Sequence, residues 1–165
     1  RYLPDVIASF GRRFDFCVLD TVHLVPGEIL DFLCLFPFIA DSCHLVLHDI
    51  HLHLYNTNCM YAFCNNLLFN CIAGEHILCM DTTQKNRLPN IGCVVLTEET
   101  RSSIPQIFGL LSSKWLYDID DAQFYTYYLF YKTYYGADLA EYFLFARDAN
   151  RRVFLEQQYL QNHAQ

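Results

Sequence analysis

The sequence predicts an α/β fold with two parallel strands, an antiparallel hairpin and a helical C-terminal third. Three observations lead there. Residues 14–19 (Phe-Asp-Phe-Cys-Val-Leu) and 44–48 (His-Leu-Val-Leu-His) are short apolar runs, of the kind found in parallel strands buried on both faces. Residues 26–36, opening on Pro26, are long enough for a helix, and strand, helix and strand within about 35 residues is the scale of one right-handed crossover unit. Residues 75–80 and 90–97 are again strand-like, and the polar linker 81–89 is too short for a crossover helix, so these two strands pair antiparallel.

The remaining elements follow in order. Residues 2–10 read as a short helix with Pro4 near its start, Val6, Ile7 and Phe10 as its apolar positions and Gly11 as its stop. Arg12 and Arg13 read as solvated. The polar, histidine-rich stretch 48–56 reads as a loop at the edge of the sheet. Thr57 caps a helix over 57–72, with Met60, Tyr61, Cys64, Leu67, Leu68 and Cys71 on a 3.6-residue period and Gly74 beyond its end. Ser103-Ile-Pro-Gln106 has the form of a capping box opening a helix to 114. Asp120 or Asp121 starts another, with Phe124, Tyr127, Tyr128, Tyr131 and Tyr135 on one stripe and Gly136 closing it. The last helix covers 137–161, with Leu139, Tyr142, Phe143, Ala146, Val153 and Phe154 as its seam. The tyrosine stripe reads as core or interface rather than as a pocket lining. Residues 101–165 read as a helical extension packed on the 1–100 unit, and its two final helices as a hairpin packed on the sheet or as a dimerisation arm of a homo-oligomer.

Bulk properties bound the function. The 165 residues suffice for a domain with a real core, and 53% apolar with 18% charged residues is not a disordered composition. The net charge of -7 argues against a nucleic-acid partner, which needs clustered Lys and Arg. Eight cysteines do not read as a disulfide framework: Cys17, Cys34, Cys79 and Cys93 fall inside expected elements and no Cys-x-x-Cys pair exists, so reduced thiols in a cytoplasmic protein are expected. No signal peptide is visible, and Asp31 and Asp41 interrupt the best candidate for a membrane span.

The chemistry gathers at two strand ends. In open α/β sheets ligands collect outside the carboxyl ends of the strands, where Asp20, His23, His48 and Asp49 fall. Carboxylates on adjacent strand ends stand about 5 Å apart at the backbone, a spacing that suits a shared Mg²⁺. An imidazole changes charge near neutrality, so His23 is a candidate base for an acceptor hydroxyl. His48, one residue before Asp49, is expected to point to the opposite face and to serve as a structural hydrogen-bonding group. His48, Asp49, His51 and His53 also form a His-Asp-x-His-x-His run, whose nitrogens and carboxylate are ligand types for Zn²⁺ or Fe²⁺.

The pattern "fDfxxlDxxH, helix, xxxxlHD", over about residues 14–98, resembles class I S-adenosylmethionine-dependent methyltransferases, in the branch of the family 24 domains and the sugar and macrolide O-methyltransferases. The resemblance implies a partial Rossmann-like sheet, the C-terminal half of such a domain. In it the hairpin's second strand lies beside the second parallel strand, and the first strand carries an exposed edge. It implies methyl transfer from S-adenosylmethionine to a sugar or other hydroxyl compound. Asp20, His23 and Asp49 would then be the catalytic residues, His23 as base, the carboxylates orienting the acceptor directly or as ligands of Mg²⁺. Two departures stand against it. Ile50 follows Asp49 where the metal-using members carry another acid or amide. The glycines, Gly11, Gly27, Gly74, Gly92, Gly109 and Gly136, form no glycine-rich cofactor loop, so the half that would carry one is expected to precede Arg1. The alternatives are a degenerate, non-enzymatic module that binds a partner through its aromatic helices, and a His/Asp metal-dependent hydrolase or oxygenase.

Overall fold

A computed structural model describes residues 2–55, 57–79 and 88–163, the last six by their backbone alone. Four strands form one mixed sheet: β1 (Phe14–Leu19), β2 (Ile39–His48), β3 (Glu75–Leu78) and β4 (Ile91–Leu96), in the order β1-β2-β4-β3. β1 and β2 run parallel, with Cys17 beside Leu45 and Leu19 beside Leu47. β4 is antiparallel to both its neighbours, so the second strand of the hairpin lies against β2 and β1 is left as an edge. After the N-terminal helix α1 (Leu3–Ser9), α2 (Gly27–Leu35) runs between the parallel strands as the crossover helix.

Alternation decides which side chains are buried. Cys17 and Leu19 of β1, Cys43, Leu45 and Leu47 of β2, and Val94 and Leu96 of β4 face the core. Helices α2, α4 (Cys64–Cys71) and α6 (Ile104–Gly109) contribute Ile29, Leu33, Leu68, Ile107 and Phe108 to the same cluster. At Gly92 an added Cβ would fall 2.5 Å from the ring of Phe69, so the glycine is what allows α4 to lie this close to β4. The opposite sheet face is not covered: Phe16 is 60% and Val18 54% exposed. The parallel strands are therefore buried on one face, not on both as their apolar runs suggested, because the helices of this chain pack on one side of the sheet.

The C-terminal third is an antiparallel helix hairpin, α7 (Asp121–Tyr135) and α8 (Ala137–His163), turning at Gly136 with φ 92°. Asp120 caps α7 by accepting the Gln123 amide at 2.7 Å. Phe124, Tyr127 and Tyr131 are buried, and the Tyr131 hydroxyl donates to the Leu30 carbonyl at 3.1 Å while that of Tyr135 donates to Leu33. The aromatic stripe is thus core, docked on α2. Phe143 of α8 lies among the rings of Trp115, Phe124 and Tyr131. Arg147, also buried, sits 4.5 Å over the Phe124 ring and pairs with Asp121.

Several boundaries differ from the sequence reading. β2 begins at Ile39, five residues before the expected 44. The helix expected over 57–72 is confined to Cys64–Cys71, after a short helix α3 (Leu52–Tyr55) and a 3₁₀ turn at Thr57–Cys59. Met60 and Tyr61 are exposed, so the front half of the expected stripe has no surface to bury against. The capping box belongs to Thr97 rather than Ser103: the Thr100 hydroxyl accepts the Thr97 amide at 2.9 Å and opens α5 (Glu98–Ser102), and α6 follows. Val153 is exposed, and Ala140, Arg147 and Asn150 complete the buried seam of α8. Arg13 pairs with Asp41 at 3.3 Å on the surface. Residue 80 and most of the linker 81–89 lie outside the described residues. All eight cysteines are free thiols.

Candidate functional site

The site is built at the C-terminal ends of β1 and β2. Because these strands are parallel and in register, Asp20 follows β1 directly beside His48, the last residue of β2, and Asp49 follows His48. Asn65 of α4 is buried beneath them and donates its amide to the His48 carbonyl at 2.7 Å and to the Leu19 carbonyl at 3.4 Å. One side chain thereby ties both strand ends together.

Among the described residues, the non-glycine residues with positive φ are His23 and Asp49, both at 58°. Left-handed backbone costs an L-residue of order 1–3 kcal/mol and persists only where its surroundings impose it. Here the surroundings do. The His23 amide donates to Oε1 of the wholly buried Glu28, and the His23 carbonyl accepts the Cys64 amide at 3.1 Å. Asn90 accepts the His51 amide on its side chain at 3.0 Å, accepts the Ile50 amide on its carbonyl at 3.1 Å, and donates its side-chain amide to Asp49 Oδ1. The two bends turn both side chains into the same space.

His23 Nε2 stands 3.5 Å from Asp20 Oδ1 and 3.3 Å from Asp49 Oδ2. Asp20, His23 and Asp49 offer ligand atoms that all lie within 4.8 Å of one another. The sequence-predicted trio is therefore brought together, with Asp20 the most open of the three at 52% side-chain exposure. His48 departs from the sequence reading, since its Nδ1 lies 3.4 Å from Asp20 Oδ1 and 3.3 Å from Asp49 Oδ2, on the same cluster. The left-handed turn at Asp49 swings its carboxylate back over His48, which simple strand alternation does not foresee.

The His51 and His53 part of the run does not join. His51 Nδ1 is engaged with the Pro89 carbonyl, and the His53 ring lies edge-on to Phe63, 6.5 Å between centroids. Burial and the neighbouring His51 hold the His53 imidazole below its usual range. The separation follows from the helical turns after Asp49, which place residues two apart on different faces.

The charges are lopsided. The ion-pair partners of Asp20, Asp49 and Glu28 among the described residues are histidines, His23 and His48. A neutral imidazole donates from one nitrogen only, so the oxygens around His23 Nε2 and His48 Nδ1 favour a positively polarised guest: a hydroxyl proton or a divalent cation. Asp31 extends the acidic character inward. Burial pushes its carboxyl up to about 6, against the lowering hydrogen bond from Thr21. Glu28, Asn65 and Asn90, which do most to hold the site, escaped the sequence reading. Glu28 and Asn65 carried one available signal, a polar residue at an apolar position of a helix.

In comparisons with known proteins, no family model, curated protein or solved structure matches the chain.

Proposed function

We propose that this chain carries the acceptor side of an S-adenosylmethionine-dependent O-methyltransferase. The observation behind this reading is the convergence of Asp20, His23 and Asp49 at two parallel strand ends, with strained backbone at the latter two. An acceptor hydroxyl set between Asp20 and Asp49 would lie within reach of His23 Nε2, which takes its proton. The carboxylates fix the direction of the oxygen, and such placement commonly lowers barriers by several kcal/mol. The Rossmann-like sheet implied by the resemblance is compatible with the β1-β2-β4-β3 order.

The described residues do not supply a cradle for the cofactor. Gly27 and Gly92 are occupied in packing, against Val22 and Tyr117 and against Phe69, and the glycines form no common loop. The chain's own part is therefore acceptor binding and proton removal. The test is methyl transfer to a panel of sugars and other hydroxyl compounds by the protein that carries this chain. Asp20→Asn and His23→Ala are each expected to lose about 10²-fold in rate while cofactor affinity is retained. Normal rates in both variants contradict the proposal.

A second reading is favoured by the unbalanced charge. Asp20 and Asp49 would hold a divalent cation such as Mg²⁺, the donor set being oxygen-rich, and the acceptor oxygen would meet it there. Calorimetric titration with Mn²⁺ tests it directly: binding that Asp49→Asn abolishes supports the cation, and no binding to the wild type removes it.

A further inference from the structure

Glu28 is the buried ionisable group that the proposed chemistry leaves unused. It lies in the first turn of α2 with no exposed surface, and its Oε1 accepts the His23 amide. His23 Nδ1 is 3.3 Å from the same oxygen, oblique to the line a full hydrogen bond takes. The buried polar atoms without a hydrogen-bond partner among the described residues include Glu28 Oε2 and His23 Nδ1, on these two facing groups, and His48 Nδ1 on the cleft side. A sealed carboxyl group with one oxygen unpartnered gains most from a further donor, whereas water reaches the half-exposed Asp20 and the Asn90 amide already donates to Asp49. The proton of the imidazole is therefore worth more on the Glu28 side than on the cleft side.

We infer that Glu28 is the positioning residue of His23: its sealed carboxylate holds a proton on Nδ1 and leaves Nε2 as the nitrogen that meets the acceptor. This rests on His23 being the base of the proposed reaction. The same carboxylate sets the backbone and the ring together. Its bond to the His23 amide fixes the left-handed bend, and its contact with Nδ1 fixes the rotation of the imidazole, so Nε2 is aimed at the space between Asp20 and Asp49. A base oriented by a buried carboxylate behind it is the arrangement that nucleophile–base–carboxylate triads use. Cys64 completes the support, since its amide fastens the His23 carbonyl from the other side.

The test needs no acceptor. In the chain labelled with ¹⁵N-histidine, long-range proton–nitrogen correlation shows which ring nitrogen carries the proton, and His23 is assigned by its loss in His23→Gln. The expected result is a protonated Nδ1 in the wild type. Glu28→Gln keeps an acceptor oxygen and keeps that proton; Glu28→Leu keeps the bulk, removes the acceptor, and moves the proton to Nε2. A bare Nδ1 in the folded wild type overturns the inference, and so does an unchanged proton position in folded Glu28→Leu. Should Glu28→Leu not fold, the wild type and Glu28→Gln still decide: both must carry the Nδ1 proton, and its absence from either overturns the inference. The base itself is tested apart from this, by the methyl-transfer rate of His23→Ala. A normal rate there removes the proposed reaction while leaving the Glu28–His23 pairing to stand or fall on the nitrogen signals.

Discussion

At the scale of single residues, the candidate site shows side chains held against their local preferences. Asp31 is the clearest case for measurement. Its carboxyl is raised from 3.8 to about 6, chiefly by burial and also by Glu28 one turn away. The folded state therefore prefers the protonated acid, so its contribution to stability is fully present below about pH 4 and is lost as pH rises through about 6. At pH 7 the penalty is at most about 3 kcal/mol, less where water reaches the group. Asp31→Asn is expected to be more stable than the wild type at pH 7.5 and nearly equal to it at pH 4, as read by urea unfolding at the two values. Asn65 works in the opposite direction. Asn65→Leu leaves the carbonyls at the ends of β1 and β2 without their donor and should cost about 1–3 kcal/mol in the same assay.

At the scale of elements, packing rather than propensity sets the boundaries. The sequence reading placed β1, α2, α7 and α8 closely, because each couples an apolar pattern to a stop or cap that acts locally: Asp120 before α7, Gly136 after it. It failed over 57–72, where the periodic stripe is present but only its second half meets the sheet. It also missed the start of β2, since Asp41 and Ser42 are exposed and look like a turn. In α8 the register can be tested by two phenylalanines two residues apart. Phe143 is fully buried among three rings and Phe145 is 68% exposed. Phe143→Ala should cost about 3–5 kcal/mol, and Phe145→Ala no more than about 0.5. Equal effects in thermal or urea unfolding would mean that the helix is rotated.

At the scale of the whole molecule, one core cluster runs from β1 through the helix hairpin, and the site lies at its edge where both parallel strands end. The thiols belong to that packing. Cys17, Cys34, Cys43 and Cys64 are buried, and titration under denaturing, non-reducing conditions should find eight free thiols; four or fewer would contradict the structure. Among the described residues no helix is long and apolar enough to cross a membrane. What the sequence made legible here was the convergence of Asp20, His23 and Asp49, because parallel strands place their carboxyl ends on one edge whatever lies between them. What it hid were Glu28, Asn65 and Asn90, whose importance depends on contacts 5 to 46 residues away. The proposal that Asp20 and His23, two of the three converging residues, act as one unit in methyl transfer is tested most directly by a double-mutant cycle on its rate with Asp20→Asn, His23→Ala and both together. Residues that act as a unit lose rate non-additively, so the double variant should fall little further than about the 10²-fold loss of either single one. Losses that multiply, or single variants that turn over as fast as the wild type, would contradict the account.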